Sequence, residues 1–112
     1  MNFEREMCEE LRKAGYWVHF MQPNPAGAQP FDIIACRGGC PLALDCKTSS
    51  HPFIELSRLE ANQITAFELW IDRGNPDPEI AVKYLDDIYM ISYSLLRSAK
   101  KVYLLSAYKW RR

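Results

Sequence analysis

Between Phe31 and Lys47 the sequence runs FDIIACRGGCPLALDCK, and few folds accommodate such a stretch. Two short apolar runs flank Gly38-Gly39, the pattern of two strands folded back on each other about a tight turn. Asp32 stands near the start of the first strand, and Asp45 and Lys47 stand at the end of the second. Side chains alternate along a strand, so Asp45 and Lys47 share one face while Leu44 and Cys46 share the other. Folding the hairpin at the glycines returns Asp32 to the neighbourhood of Asp45. Charges on strands this apolar are costly to bury without partners, so their convergence predicts a site. Two carboxylates with spare lone pairs suit a hard divalent cation. A lysine two residues beyond one of them is placed to position or deprotonate a water, or to stabilise developing negative charge. The competing reading is a structural Asp–Lys ion pair at a strand end, of a kind that contributes little.

The rest of the chain predicts what surrounds this hairpin. Residues 2–14 read as an amphipathic helix with Phe3, Met7, Leu11 and Ala14 on one stripe and Gly15 as its stop. At about 100° per residue, Glu6, Glu9 and Glu10 fall on the flank or far side, whereas Glu4 falls roughly 40–60° from the stripe centre. Glu4 is thus expected to face the fold. An acid in the first turn also suits the helix dipole, which explains its position along the helix but not its face. Tyr16–Gln22 reads as a strand. The loop PNPAGAQP after it either faces substrate or merely connects. A second helix is predicted from Leu56 to Arg73, with Leu56, Leu59, Ala66, Phe67 and Trp70 on its apolar stripe and Gln63 within it. A glutamine there needs partners, either backbone groups or a polar site near the hairpin. Strands over Glu79–Leu85 and Ile88–Ser92 about Asp86-Asp87, a short helix over Ser92–Lys100, and a strand over Val102–Ala107 complete the order α-β-β-β-α-β-β-α-β. That order predicts a mixed sheet with helices on its faces.

The set Glu4, Asp32 and Asp45-Cys46-Lys47 resembles the PD-(D/E)xK nuclease superfamily. Within it the chain is most similar to Holliday-junction resolvases, those of archaeal type and the bacterial RecU type. The similarity runs from Glu4 to about Ile91 and takes in EREMCEELRKAGYWV, FDIIA, LALDCK and the helix around Gln63. It implies an α/β, restriction-endonuclease-like fold, a mixed central sheet flanked by helices with an α-β-β-β-α-β core, as a single nuclease domain over residues 1–112. It implies metal-dependent hydrolysis of DNA phosphodiesters to 5′-phosphate and 3′-hydroxyl ends. Asp32 and Asp45 would bind Mg²⁺ or Mn²⁺ with the backbone carbonyl of Cys46, and Glu4 would complete the network, directly or through water. Lys47 would act on the attacking water, and Gln63 would assist near the metal or scissile phosphate. Ser49 and Ser50, just past the strand, would be available to hydrogen-bond phosphate, or form no more than a connecting loop. Phe31 stands where the superfamily often has proline, and Asp45 where resolvases commonly carry glutamate. Symmetric cutting of a branched DNA by so small a chain implies a homodimer. The alternatives are another structure-selective replication or repair nuclease of the superfamily, and a catalytically silent DNA-binding module on the same fold.

Composition adds limits. At 112 residues, 48% of them hydrophobic and 25% charged, the chain is predicted to be one ordered domain. No apolar run approaches the length of a membrane span, and the charged helical start is unlike a signal peptide, so a cytoplasmic protein with no membrane partner is expected. Basic and acidic residues balance, 14 to 14, which neither supports nor excludes nucleic acid. Lys100, Lys101, Lys109, Arg111 and Arg112 concentrate basic charge at the C-terminus, read either as a phosphate-binding tail or, by default, as a solvated, frayed end. Cys8, Cys36, Cys40 and Cys46 lack the paired spacing of a zinc site and read as small core residues.

Overall fold

The computed structural model describes residues 2–22 and 29–111. The first helix, α1 (Phe3–Lys13), starts where Asn2 Oδ1 accepts the Arg5 backbone N–H at 3.0 Å, a side-chain N-cap. It stops at Gly15, whose φ of +91° favours a residue without Cβ. Strand β1 (Trp17–Phe20) pairs antiparallel with β2 (Ile33–Arg37), and β2 with β3 (Cys40–Ser49). The β2–β3 turn holds both Gly38 and Gly39 at positive φ, +60° and +81°, as a two-residue turn matched to strand twist requires.

After β3 the chain crosses through β4 (Phe53–Glu55), a 3-10 turn at Leu56–Arg58 and helix α2 (Ala61–Asp72) to reach β5 (Glu79–Tyr84). Strand β5 lies parallel to β3, with Leu44 opposite Glu79 and Lys47 opposite Val82. A hairpin adds β6 (Asp87–Ser92), then come α3 (Tyr93–Ala99), β7 (Lys101–Tyr103), a 3-10 turn at Leu104–Ser106 and β8 (Tyr108–Lys109). The main sheet runs β1-β2-β3-β5-β6-β8, and β4 pairs with β7 in a separate two-stranded ribbon. This is the mixed sheet flanked by helices that the sequence predicts.

Strand alternation divides the core in two. Ile33, Ala35, Leu44, Cys46, Ala81, Ile88 and Met90 face α1 and pack on Phe3, Met7, Cys8 and Leu11. Ala43, Ile80, Val82, Tyr89 and Ile91 face the other way, with Phe67 of α2 and Tyr93 and Leu96 of α3. Phe31 closes this second layer, stacked on Phe67 at 6.1 Å between centroids and edge-on to Trp70 at 5.7 Å.

Several expectations are corrected. The helix predicted from Leu56 breaks at Leu59, whose backbone is extended, and restarts at Ala61 after Glu60. Gln63 Oε1 accepts the Glu60 backbone N–H at 3.0 Å, half of a capping box, which sets the true start. The strand predicted at Val102–Ala107 holds only for Val102 and Tyr103, the end of β7; Leu104–Ser106 form a 3-10 turn and β8 starts beyond it at Tyr108. The β5–β6 turn sits one residue earlier than expected, because Leu85 takes the left-handed conformation (φ +56°) and Asp87 already pairs with Tyr84. Glu10, expected to face away, is buried: its Oε1 accepts Trp110 Nε1–H at 3.1 Å. Glu6 is no free flank residue either, since its carboxylate meets Lys83 Nζ at 2.5 Å. The C-terminal segment is not frayed through Arg111; Lys109 pairs with Asp87 at 3.3 Å and the Trp110 N–H donates to Ile88 O at 2.8 Å. Arg112 lies outside the described residues. Of the cysteines only Cys8 and Cys46 are buried, and Cys40 is exposed. Among the described residues no helix is long and apolar enough to cross a membrane.

Candidate active site

Hairpin register brings the two aspartates together. Ile33 lies opposite Leu44 in the antiparallel β2–β3 pair, so the next position outward sets Asp32 against Asp45 on one face. Asp32 is further held by the backbone, because its Oδ2 accepts the Cys46 N–H at 2.8 Å and its own N–H donates to Leu44 O at 3.0 Å. A backbone donor leaves no mark in the sequence, so this orienting contact is one the residues alone do not reveal.

Asp45 is fully buried. Its Oδ1 accepts Gln63 Nε2–H at 2.6 Å. Its Oδ2 lies 3.0 Å from Lys47 Nζ, an ion pair, yet outside hydrogen-bond geometry, so this oxygen is buried without a hydrogen bond. Burial, and next the neighbouring Asp32 carboxylate, push the Asp45 carboxyl up to about 7, against a partial pull downward from Lys47. Lys47 is mostly covered and also approaches Gln63 Oε1 at 3.5 Å. Gln63 therefore serves both readings considered for it, satisfying a helix-start backbone group through its oxygen and Asp45 through its amide nitrogen.

Four of the predicted residues, Asp32, Asp45, Lys47 and Gln63, thus converge on the α2 face of the sheet, beside β3. Glu4 is partly buried on α1, on the other side of β3, where its charge acts on the thiols of Cys8 and Cys46. Among the described residues no three His, Cys, Asp or Glu side chains come close enough to cage a metal, so Glu4 does not join the pair as a direct third ligand in this geometry. The Cys46 thiol faces away from the aspartates; burial first, then the charges of Asp32, Asp45 and Glu4, hold it well above its ordinary 9.0, so it offers no thiolate. Ser49 Oγ is used locally: it accepts the His51 N–H at 3.0 Å and lies 2.9 Å from His51 O and 3.2 Å from Phe53 O. Most of the loop expected to face substrate, residues 23–28, lies outside the described residues; its exit is tied down by Asn62 Nδ2, which donates to Gln29 O at 2.8 Å.

The donor set fits a hard divalent cation. Two carboxylates side by side repel each other, one of them is desolvated, and its outer oxygen has no hydrogen bond; bound positive charge relieves all three. A concavity of about 690 Å³ among the described residues is lined by Asp87, Tyr108 and Trp110 and lies away from this site. The aspartate pair is reached from solvent on the side of the partly exposed Asp32.

Known proteins resemble this chain in sequence and in fold. The family described as archaeal Holliday junction resolvase (Hjc) matches residues 1–108. A crossover junction endodeoxyribonuclease Hjc from Methanocaldococcus jannaschii is 29% identical over 104 residues, spanning 93% of this chain and 73% of that protein. The fold superposes on the structure of Archaeoglobus fulgidus Hjc, a Holliday junction resolvase from an archaeal hyperthermophile. That match has a TM-score of 0.73 and 22% identity and covers 96% of this chain and 92% of that one. With the hairpin aspartates, the lysine and the sheet all in the matched span, the chain belongs to the archaeal Holliday junction resolvase family.

Proposed function

We propose that the protein is a metal-dependent endodeoxyribonuclease that cuts branched DNA, of the Holliday junction resolving kind, in recombination and repair. The observation that carries this reading is the register-paired Asp32 and Asp45, with the buried Oδ2 of Asp45 lacking a hydrogen bond beside Lys47. Asp32, Asp45 and the Cys46 carbonyl would hold Mg²⁺ or Mn²⁺, with Glu4 reaching the site through water. Such a cation would polarise a phosphoryl oxygen and lower the pKa of a water so that it can lose its proton. Gln63 fixes the orientation of Asp45 through its amide N–H. Lys47 sits 3.0 Å from Asp45 Oδ2 and is placed to hold the attacking water and to offset charge developing on the phosphate. The symmetric two-strand cut of a four-way junction calls for two such sites, which one chain lacks, so the working form is a homodimer.

The test is cleavage of a synthetic four-way junction, a flap and a linear duplex of matched length with Mg²⁺, by wild type and Asp45→Asn. Wild type is expected to cut the junction in preference to the duplex and Asp45→Asn to cut neither. Preference for the flap would replace junction resolution by another structure-selective activity. No cleavage of any DNA with Mg²⁺ or Mn²⁺ would overturn the nuclease reading, and undiminished cleavage by Asp45→Asn would overturn its site.

A further inference from the structure

Strand β3 delivers Lys47 to the site and then runs directly into the β4–β7 ribbon, whose outer face is aromatic. In the ribbon Phe53 pairs with Tyr103, Ile54 with Val102, and Glu55 with Lys101. Alternation turns Ile54 and Val102 inward, where both are buried, and leaves His51, Phe53 and Tyr103 on the outer side. The rings form a continuous row. His51 and Phe53 are parallel at 5.2 Å between centroids, and Phe53 meets Tyr103 edge-on at 6.2 Å. Lys101 Nζ lies 4.0 Å from the Phe53 centroid and 5.3 Å from that of Tyr103. Phe53 is partly covered and serves as a buttress, whereas His51 is exposed and Tyr103 is 58% exposed.

We propose that the exposed rings of His51 and Tyr103 stack against an unpaired base of the DNA close to the phosphate that is cut. The inference rests on the nuclease reading above and adds to it a surface that distinguishes opened from paired DNA. Three features support it. Every base has a π-face, so stacking on aromatic rings grips single strands with little regard to sequence, and in a duplex those faces are hidden. Lys101, next to the rings, supplies charge for the adjoining phosphate, and the outer-face acid, Glu55, lies opposite Lys101 in the pairing and away from Tyr103. Lastly, the ribbon is within reach of the cut. His51 lies four positions beyond Lys47, at most about 14 Å of chain or roughly four stacked nucleotides at about 3.4 Å each. A small groove of about 80 Å³ is lined by Ser49 at the strand end and by His51, Phe53 and Arg58. Ser49 Oγ holds the intervening turn and Arg58 Nη2 donates to Thr48 O at 3.0 Å, so the ribbon is fixed to the catalytic strand.

The test is fluorescence anisotropy in EDTA, where binding is read without cleavage, on a duplex carrying a short unpaired stretch with 2-aminopurine and on a fully paired duplex of the same length. The double variant His51→Ala/Tyr103→Ala is expected to bind the unpaired DNA about tenfold more weakly and the paired duplex unchanged. The 2-aminopurine quenching seen with wild type is expected to vanish in the double variant and to persist in Tyr103→Trp. Equal weakening on both DNAs, or no weakening on either, would overturn the stacking surface. Because no metal is present, a protein that proves unable to cut DNA still gives a readable answer, and one that cuts normally can still fail this test.

Discussion

Asp45→Asn should separate what the site costs the fold from what it gives the reaction. The Asp45 carboxyl is pushed up to about 7 from an ordinary 3.8. A group raised on folding stabilises the protein fully below its unfolded value, and that contribution falls as pH rises and is gone above the folded value. The interval from pH 5 to about 7 spans two units at 1.36 kcal/mol each, so wild type loses about 2–3 kcal/mol there, an upper bound because Asp32 and Asp45 titrate as a pair. Asparagine does not titrate. It brings a separate penalty, since one amide group must face either Lys47 Nζ or Gln63 Nε2 as donor against donor. That penalty is the same at every pH and cancels in a double difference. Urea unfolding of both proteins in EDTA at pH 5 and pH 8 gives that difference directly. The variant should gain about 2–3 kcal/mol on wild type between the two pH values. Adding Mg²⁺ at pH 8 should raise the melting temperature of wild type and leave Asp45→Asn unmoved. A stability difference independent of pH would refute the burial and repulsion assigned to Asp45.

Gln63→Ala removes at once the donor to Asp45 Oδ1 and the acceptor for the Glu60 N–H. It should destabilise the protein by about 1–3 kcal/mol in urea unfolding and reduce cleavage more than it reduces DNA binding. Tyr93 OH donates to Glu68 Oε2 at 2.6 Å while Arg97 Nη1 lies 2.8 Å from both Glu68 oxygens, a clamp between α2 and α3. Burial and this bond push the Tyr93 phenol up to about 12, so Glu68→Gln should shift its ultraviolet titration back toward 10.

The hairpin aspartates were legible because a period of two and a two-glycine turn fix register, and register fixes which side chains meet. Lys47 followed from the same alternation, and Gln63 from its place on an apolar helix stripe. The helical angle that singled out Glu4 describes a direction and not what lies there. Glu10 is the buried acid of α1 because Trp110, a hundred positions away, arrives to donate to it. The break before α2 was marked by Glu60-x-x-Gln63, a cap masked by the apolar residues before it. Strands β4 and β7 span three residues each, and β8 two, too few for periodicity to register. Their pairing depends on partners distant in sequence.

The parallel junction of β3 with β5 also orders events in time. The hairpins β2–β3 and β5–β6 close over short turns, but their union requires residues 50–78 to be laid across the sheet first. Non-local closure of that kind is the slow step in folding. Helix α2 lies inside the crossing segment, so Gln63 reaches Asp45 only once that segment has been laid on β3. A nascent or partly unfolded chain therefore carries its aspartates without their orienting partner until the crossing segment docks.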